Sequence, residues 1–503
     1  MVLILSIPVV TAVICYLLKS PKLVGYASLA GAAALAFAAL PVIISAISSP
    51  AEMMNGVLYM DALSGYIMAL VIFLSLASAA YSIEYLEHEM KVGLTGASGV
   101  RRYYALLHLF IFTMLLVTAA NNLALMWIAI EATTIVSALL IGLGFSKRSL
   151  AIEAAWKYII LCTVGITFAL LGIFITYYAT TAVMGGGQGA LNWTTIRSIA
   201  PKLNPATMKL AFIFILVGYG TKAGLAPVHN WLPDAHSEAP SPISALLSGI
   251  LLNTAFYGIM RFVSIVDPST GSVFTGNLLI LFGLISMGIS SVLILAQVNY
   301  KRLLAYSSIE HMGIISLGIG IGGPVGVYGA LLHIMNHALS KPLMFFVSGR
   351  IQAHYGSTKI ENVNGVLSSM PLAGTLAFIG ALSLAGTPPF NIFISEFTVL
   401  RAAVDNGLWA IAGLFLLFAA FVFYGMLSAF GRMLFGGRNA ARVQGDGKSG
   451  QSVAASGFSL SMSSVLNNGI MILLASLIVV LGFTVPGFID GTIRTCIDIL
   501  GVK

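Results

Sequence analysis

The chain has 503 residues, of which 58% are hydrophobic and only 8% are charged, and its mean hydropathy is +0.97. Soluble domains contain about 25% charged residues, so this composition excludes a soluble protein and predicts a polytopic membrane protein. The net charge of +8 does not indicate nucleic-acid binding, because the basic residues are scattered through loops.

Long apolar segments predict an all-α fold of about 14 transmembrane helices, because a helix needs about 20 apolar residues to cross a bilayer. The predicted spans lie at about 2–18, 24–47, 63–83, 104–120, 123–144, 152–180, 207–228, 242–264, 277–298, 303–322, 324–349, 370–400, 408–434 and 467–488. The first run lacks a basic n-region and a cleavage site, so we expect a retained helix and not a signal peptide.

Two of the predicted spans are interrupted by glycine and proline, the seventh at 224–227 and the twelfth at 386–389. Proline removes a backbone donor and breaks a helix. A pair of such breaks at matching places is typical of transporters with inverted repeats, and these breaks are five spans apart. We therefore predict discontinuous helices 7 and 12 in two inverted five-helix repeats. Ordinary proline kinks remain the alternative.

This pattern divides the chain into five segments. They are N-terminal helices at 1–103, a first five-helix repeat at 104–264, a second repeat at 277–435, a polar loop at 436–466, and a C-terminal helix with a tail at 467–503. Fifteen Lys and Arg residues, Lys301 among them, are assigned to odd-numbered loops, and seven, Arg261 among them, are assigned to the loops and termini of the opposite side. Because cytoplasmic loops are enriched in basic residues, we expect the odd-numbered loops to be cytoplasmic and both termini to lie outside.

Eight of the ionisable residues within predicted spans are candidate members of an ion path. They are Glu131, Lys222, Glu310, His311, His333, His337, Lys341 and Glu396. A charged side chain at the centre of a membrane helix costs ~2.5–3.5 kcal/mol and usually faces a wet cavity or a partner. These eight residues therefore predict a proton or ion path through the membrane.

Glu131 and Lys222 are predicted to form a coupled ion pair, since each would favour the charged form of the other. A change in their separation would then decide whether Lys222 keeps its proton. The alternative is that a neighbouring hydroxyl group satisfies Glu131.

His333, His337 and Lys341 are spaced i, i+4 and i+8, so they form one polar stripe on an apolar helix. Histidine titrates near neutrality and relays protons. Structural, hydrogen-bonded histidines are an alternative. A zinc site at His333 and His337 is disfavoured, because zinc prefers three or four protein ligands and no third is evident. Glu310 and His311 are expected on the same axis, with a core histidine as the alternative for His311.

The remaining polar residues near the broken spans have two interpretations each. His229, Asp234, His236 and Glu238 form either the opening of the path or solvated loop groups. Glu396 is predicted to be the last group to hold a proton before the outer side, and pairing with Arg401 is the alternative. Lys157, near a span end, is expected to extend to the interface.

The three cysteines, Cys15, Cys162 and Cys496, are far apart. Iron–sulfur clusters need closely spaced thiolates, and the sequence has no cofactor loop. We therefore expect no redox centre, cofactor or metal in this chain, and redox chemistry would belong to partner subunits.

Several strings together resemble the antiporter-like subunits of respiratory complex I, of Mrp-type antiporters and of group 4 energy-converting hydrogenases. They are TKAGLAPVHNWLPDAH (221–236), KRLLAYSS (301–308), LLHIMNHALSKPLMFF (331–346) and the broken span that ends in SEF (395–397). The resemblance covers roughly residues 60–435. Within it, 153–166 and 241–253 look most like component F of formate-hydrogenlyase-type hydrogenases.

The resemblance implies roles for individual residues. Glu131 and Lys222 match the coupled ion pair of the family, the stripe from His333 to Lys341 matches its central axis, and Glu396 matches the terminal charge of the broken helix. Asn253 stands where many relatives have lysine. Because asparagine cannot hold a proton as an ammonium group can, waters or another group must bridge the middle of the relay.

Three functions remain open at this point. In the first, the chain is a proton- or sodium-translocating subunit of a redox-driven complex in the inner (plasma) membrane, most like a group 4 hydrogenase. Its expected partners are then other membrane subunits and a peripheral electron-transfer arm. Alternatively it is an Mrp-type antiporter subunit or a complex I subunit. A purely structural membrane anchor is the third possibility, which the many titratable residues disfavour.

Overall fold

The computed structural model describes residues 1–144, 148–187, 189–436 and 462–502. These residues are almost entirely helical, which confirms the predicted all-α membrane fold. A short antiparallel hairpin of β1 (Ala51–Met53) and β2 (Leu58–Met60) lies between the second and third helices.

The helices of the first half are α1 (Val2–Leu17), α2 (Pro21–Ser48), α3 (Ala62–Lys91), α4 (Ala97–Ala119), α5 (Leu123–Gly142), α6 (Arg148–Met184), α7 (Trp193–Ile199), α8 (Pro205–Ala223), α9 (Leu232–Glu238), α10 (Ser241–Leu246) and α11 (Leu252–Thr270). Those of the second half are α12 (Ser272–Leu295), α13 (Tyr300–Ile321), α14 (Gly323–Tyr355), α15 (Val366–Ser369), α16 (Pro371–Leu384), α17 (Asn391–Asp405), α18 (Trp409–Phe435), α19 (Met462–Phe483) and α20 (Gly487–Leu500).

Eleven helical stretches in the described part of the chain are long and apolar enough to cross a membrane. Helices α1 and α16 are apolar but shorter. Each predicted span corresponds to a helix or to a broken pair of helices, although the bounds differ by several residues. The inverted-repeat relation and the domain boundaries remain predictions.

The two predicted interruptions are present. Helix α8 ends at Ala223 and the chain becomes helical again only at Leu232. Gly224 has a φ of +78°, and a Cβ atom there would lie 2.4 Å from Cδ1 of Leu232. The left-handed backbone and the close contact both require glycine. Helices α16 and α17 are separated in the same manner by residues 385–390.

Two helical features were not predicted. A π-helical segment (Leu247–Leu251) joins α10 to α11, so that Ser241–Thr270 is one long span, buried from Ser241 to Val266. Such segments are rare and are frequent at functional sites. The tail after α19 was given no secondary structure from the sequence, and it forms α20, which packs against α3 and α14.

A buried ion pair joins the third helix to the eighth span. Arg261 donates to both carboxylate oxygens of Asp61 at 2.7 and 2.6 Å, and also to Ser64 and Tyr257. Asp61 in turn caps α3 by accepting from the backbone N–H of Ser64 at 2.9 Å. Removing one partner of a buried pair typically costs about 3–5 kcal/mol, so this pair fixes the relative positions of α3 and α11.

The assignment of Arg261 to a loop was therefore wrong, and the same is true of Lys301. The ammonium group of Lys301 is buried and donates to the carbonyl oxygen of Ala239 at 3.0 Å. Sequence patterning missed both residues because each lies within a few residues of a span end.

Some predictions lie outside the described residues. They are most of the polar loop, at 437–461, and the loop or terminal cations Lys147, Arg438, Arg442, Lys448 and Lys503.

Candidate ion-translocation path

Close packing of α6 against α8 sets the position of the first charged cluster. A Cβ atom at Gly165 would lie 2.6 Å from Cβ of Thr221. One at Gly218 would lie 2.4 Å from the backbone nitrogen of Ala169. Small residues at a membrane interface allow two helix backbones to approach closely, and here they place the tyrosine of α6 beside the lysine of α8.

Lys222 is completely buried among oxygen atoms. Its ammonium group donates to the hydroxyl of Thr134 at 2.9 Å and to the hydroxyl of Tyr158, and it lies 4.6 Å from the centroid of the tyrosine ring. Tyr158 is hydrogen-bonded to Ser137 at 2.8 Å. The buried charge is therefore solvated by hydroxyl groups of α5 and α6.

Glu131 is linked to Lys222 through a threonine. Its carboxylate accepts from Thr163 at 2.8 Å and from Thr134 at 3.3 Å, and Thr134 also accepts from Lys222. The contacts of Glu131 are therefore those of the alternative interpretation, in which neighbouring hydroxyl groups satisfy its carboxylate. The predicted coupling with Lys222 has a structural route through Thr134, and the role of the pair remains a prediction.

Thr134→Val is expected to reduce ion translocation by about 10-fold or more, because a hydrogen bond to a charged group contributes about 1.5–3 kcal/mol. Valine keeps the shape of threonine but removes the hydroxyl that both charged groups share. The measurement is the initial rate of pH change in proteoliposomes that contain the assembled complex. Thr133→Val is the matched control, since its hydroxyl donates only to the backbone carbonyl of Ile130. Equal rates in the two variants would exclude the bridge.

The turn after the broken helix places aromatic groups between the cluster around Lys222 and a second cluster around Lys341. The Trp231 indole donates to the carbonyl of Thr221 at 2.8 Å, and its ring lies 4.7 Å from that of Tyr158. On its other side Trp231 lies 6.1 Å from the ring of His236, which is completely buried. His236 is also within electrostatic reach of Lys341. The aromatic side chain thus separates the Lys222 cluster from the second cluster.

The four polar residues of that turn have different environments. His229 and His236 are buried, so the interpretation as solvated loop groups does not hold for them. Asp234 is a surface group that pairs with Arg302 at 2.9 Å and with Lys157 at 3.4 Å. Lys157 is half-exposed, in agreement with its expected position at the interface. Glu238 is half-buried.

Lys341 begins the second cluster. It is completely buried, and it donates to the carbonyl oxygen of Leu304 at 2.9 Å and to the hydroxyl of Ser307. It is within electrostatic reach of Glu310, which lies further along α13. A second serine of α13, Ser308, is hydrogen-bonded at 2.7 Å to Ser248 in the π-helical segment. The π-helical segment is therefore in contact with the cluster.

The histidines of α13 and α14 meet at the centre of the bundle. Nδ1 of His311 lies 3.1 Å from Nε2 of His333 and 3.5 Å from a carboxylate oxygen of Glu310. The rings of His311 and His337 are 5.4 Å apart. The structure thus brings together Glu310 and all three histidines that the sequence singled out.

The surrounding hydrogen bonds assign the proton positions on two of these rings. Ser395 donates its hydroxyl proton to the carbonyl of Ile392 at 2.9 Å, so its oxygen accepts from Nδ1–H of His333 at 3.0 Å. Nε2 of His333 is then an acceptor, and Nδ1–H of His311 donates to it. Tautomers follow from the partners in this manner. The chain of donors runs from His311 to His333 and on to Ser395 in α17.

Glu396 lies beside this chain of donors. One of its oxygens and one nitrogen from each of His311 and His333 all lie within 4.8 Å of one another. A Cβ atom at Gly386 would lie 2.1 Å from the Glu396 carboxylate, so the carboxylate rests against the backbone of the break. The alternative of a Glu396–Arg401 pair is wrong, because Arg401 pairs with Asp405 at 3.2 Å.

Uncharged side chains that the sequence analysis missed hold the broken helix in place. The Asn336 amide donates to the carbonyl of Asn391 at 2.7 Å and to Ser395 at 3.1 Å. The side-chain oxygen of Asn391 accepts from Ser383 at 2.9 Å. Asn336 directly precedes His337 and Ser395 directly precedes Glu396 in the sequence, and these positions are the signals that could have indicated them.

Asn253 does not join the two clusters directly. Its amide donates to the carbonyl of Gly249 at 2.8 Å within its own span. Within the described residues its side-chain oxygen, both nitrogens of His236, both nitrogens of His337 and Nε2 of His311 have no hydrogen-bond partner. Buried polar groups are nearly always hydrogen-bonded to protein or to ordered water, so this line of groups requires water. The fold and the site together define the class: a polytopic helical membrane protein with a line of buried ionisable groups along its helices.

Comparisons with known proteins give the family. The NADH:quinone oxidoreductase/Mrp antiporter transmembrane family matches residues 120–428. The hydrogenase-4 component F homolog of Methylacidiphilum infernorum (isolate V4) is 40% identical over 374 residues, which cover 74% of this chain and 76% of that protein. The chain therefore belongs to the NADH:quinone oxidoreductase/Mrp antiporter family and is one of its antiporter-like membrane subunits.

Two solved structures share the fold along the whole chain. One is the membrane-bound sulfane sulfur reductase, an archaeal respiratory membrane complex, with a TM-score of 0.84, 24% identity, and coverage of 100% of this chain and 97% of that chain. The other is the Mrp complex from Dietzia sp. DQ12-45-1b, with a TM-score of 0.81, 20% identity, and coverage of 99% and 98%. Both are structures of complexes, and the likeness shows that this chain has the same fold as one chain in each of them.

Proposed function

We propose that this chain is the proton-translocating subunit of a redox-driven membrane complex of the group 4 hydrogenase type. The observation that supports this most strongly is the line of groups that runs from the half-buried Glu131 through the buried Lys222 and Lys341 to the buried Glu396. In this line charged groups alternate with histidines and hydroxyl groups. A structural anchor has no need of such groups, which are costly in a bilayer. The 40% sequence identity with a hydrogenase-4 component F homolog supports a complex of the hydrogenase type.

The chemistry of the line favours a proton over sodium. Hard cations prefer cages of oxygen ligands, whereas the centre of this line consists of lysine and imidazole groups. Imidazole accepts and donates protons near neutral pH. The donor chain from His311 through His333 to Ser395 already has the form of a proton wire.

The direction of transfer follows from the proposed orientation. The excess of basic residues in the odd-numbered loops persists when the buried Arg261 and Lys301 are left out, so these loops are cytoplasmic and both termini lie outside. Helix α13 then begins on the cytoplasmic side, and the Lys341–Leu304 contact lies nearer to that side than Glu396. A proton moves outward from Lys341 through the histidines to Glu396.

The redox centres belong to partner subunits in this proposal. Nickel–iron and iron–sulfur groups would be held by a peripheral arm, and their turnover would displace the charges of this chain. The three buried cysteines lie on α1, α6 and α20 and are too far apart in sequence to form a cluster motif.

The test is purification of the complex through an affinity tag on this chain, followed by reconstitution into proteoliposomes. We expect nickel and iron to co-purify, and hydrogen-linked turnover to acidify the compartment that corresponds to the outside in the absence of sodium. A complex free of iron whose pH change requires an imposed sodium gradient would instead identify an antiporter subunit.

A further inference from the structure

The meeting point of α13, α14 and α17 has the donor set of a metal site. His311, His333 and Glu396 each offer one ligand atom, and these atoms lie within 4.8 Å of one another. All three side chains are buried. The sequence analysis disfavoured a metal because no third ligand was evident beside His333 and His337. In the structure the two ligands beside His333 of α14 come from other helices: His311 from α13 and Glu396 from α17.

The distances suit zinc. Zinc binds histidine nitrogen at about 2.0–2.1 Å in a tetrahedral arrangement, so two histidine nitrogens on one ion are about 3.3–3.4 Å apart. Nδ1 of His311 and Nε2 of His333 are already 3.1 Å apart. With the Glu396 carboxylate within 4.8 Å of these ring nitrogens, the residues make up a set of two histidines and one carboxylate, which zinc commonly uses.

The surroundings also match those of a metal site. A histidine that binds a metal usually donates its other ring N–H to a neighbouring acceptor, which fixes the ring. His333 does so, because its Nδ1–H donates to Ser395 at 3.0 Å. Binding would require His311 to move its ring proton from Nδ1 to Nε2, which has no hydrogen-bond partner among the described residues. No proton need leave the ring, whereas Glu396 must be ionised.

We propose that His311, His333 and Glu396 form a binding site for Zn²⁺, and that the bound ion stops proton transfer. The first half of this proposal rests on the geometry of three side chains. The second half rests on the proposed function, because the ion replaces the hydrogen bond between His311 and His333. An occupied site would therefore interrupt the proton wire at its centre.

The binding half is tested on the purified full-length chain in nanodiscs, with Zn²⁺ quantified after equilibrium dialysis and Co²⁺ followed by its visible absorption. We expect one tightly bound ion per chain. His333→Gln and Glu396→Gln should each weaken binding by about 100-fold or more, by analogy with losses at supporting positions of metal sites. His337→Gln is the matched control, since this neighbour on α14 lies outside the donor set and should leave binding unchanged. Thermal unfolding without metal establishes that the variants are folded.

The outcomes separate the two halves. Equal binding by the wild type and by both ligand variants would show adventitious surface sites only and would overturn the proposed site. Zn²⁺ that binds as expected should also stop hydrogen-linked acidification by the reconstituted wild-type complex, and a chelator should restore it. Binding without inhibition would leave the site intact and would show that protons do not pass between His311 and His333.

Discussion

Lys222→Met is expected to abolish proton translocation while the protein remains folded. Methionine fills the volume of the lysine stem and removes an ammonium group whose burial costs ~2.5–3.5 kcal/mol on insertion scales. The hydroxyl groups of Thr134 and Tyr158 that solvate the ammonium group would then face a thioether. The proton held at this position, and its coupling to Glu131, would be lost. Acidification per hydrogen turnover in proteoliposomes should fall to the level measured with a protonophore.

The control for this variant is Lys157→Met. Lys157 is the same type of residue and is also near Tyr158, but its side chain is half-exposed and pairs with Glu153 at 2.7 Å on the surface of α6. Exposed pairs of this kind contribute about 0.2–1 kcal/mol, so we expect normal acidification. If the Lys222 variant pumped as well as the Lys157 variant, the buried ammonium group would have no part in the path.

Glu396→Gln is expected to have an effect as large, for a different reason. The carboxylate lies within 4.8 Å of ring nitrogens of His311 and His333 and against the broken backbone at Gly386. Glutamine keeps the size and polarity of the side chain but cannot take up a proton from His333. Because moving one charge against 100 mV costs ~2.3 kcal/mol, transfer outward needs an acceptor at this point. Redox turnover should continue or slow, while acidification is lost.

Asp405→Asn provides the matched control on the same helix. Asp405 lies at the end of α17, is about half exposed and pairs with Arg401. The same loss of a carboxylate there should leave acidification at the wild-type level. Normal pumping by Glu396→Gln would remove Glu396 from the path and would point to an exit from the histidines by another route.

Two kinds of buried polar network can be distinguished in this protein. At the Asp61–Arg261 pair both oxygens of the carboxylate and three nitrogens of the guanidinium group are hydrogen-bonded. Around His236, His337 and Asn253, by contrast, buried polar atoms in the described chain have no such partners. A saturated network holds one arrangement and stabilises the fold. An unsaturated network admits water and allows protons to change position.

The sequence identified the charged members of the path because a charge inside an apolar span is conspicuous. Lys222, Lys341 and Glu396 stand out within runs of apolar residues, and the i, i+4, i+8 spacing placed three of the site residues on one helix face. Uncharged members such as Thr134, Tyr158 and Ser395 give no such signal. Serine, threonine and tyrosine occur throughout this chain, and only their neighbours across helix interfaces distinguish them.

The sequence by itself determined the membrane class, the helical fold, the places of the two broken spans and the family, since all of these depend on local hydropathy, on proline and glycine, and on contiguous motifs. The tertiary structure alone decided which side chains meet. Glu131 reaches Lys222 through a threonine of its own helix, His311 meets His333 from another helix, and Glu396 contacts Gly386 instead of pairing with Arg401. The physical reason is that these contacts depend on the rotation and distance of packed helices, which small residues such as Gly165 and Gly218 set and which no periodicity along one helix records.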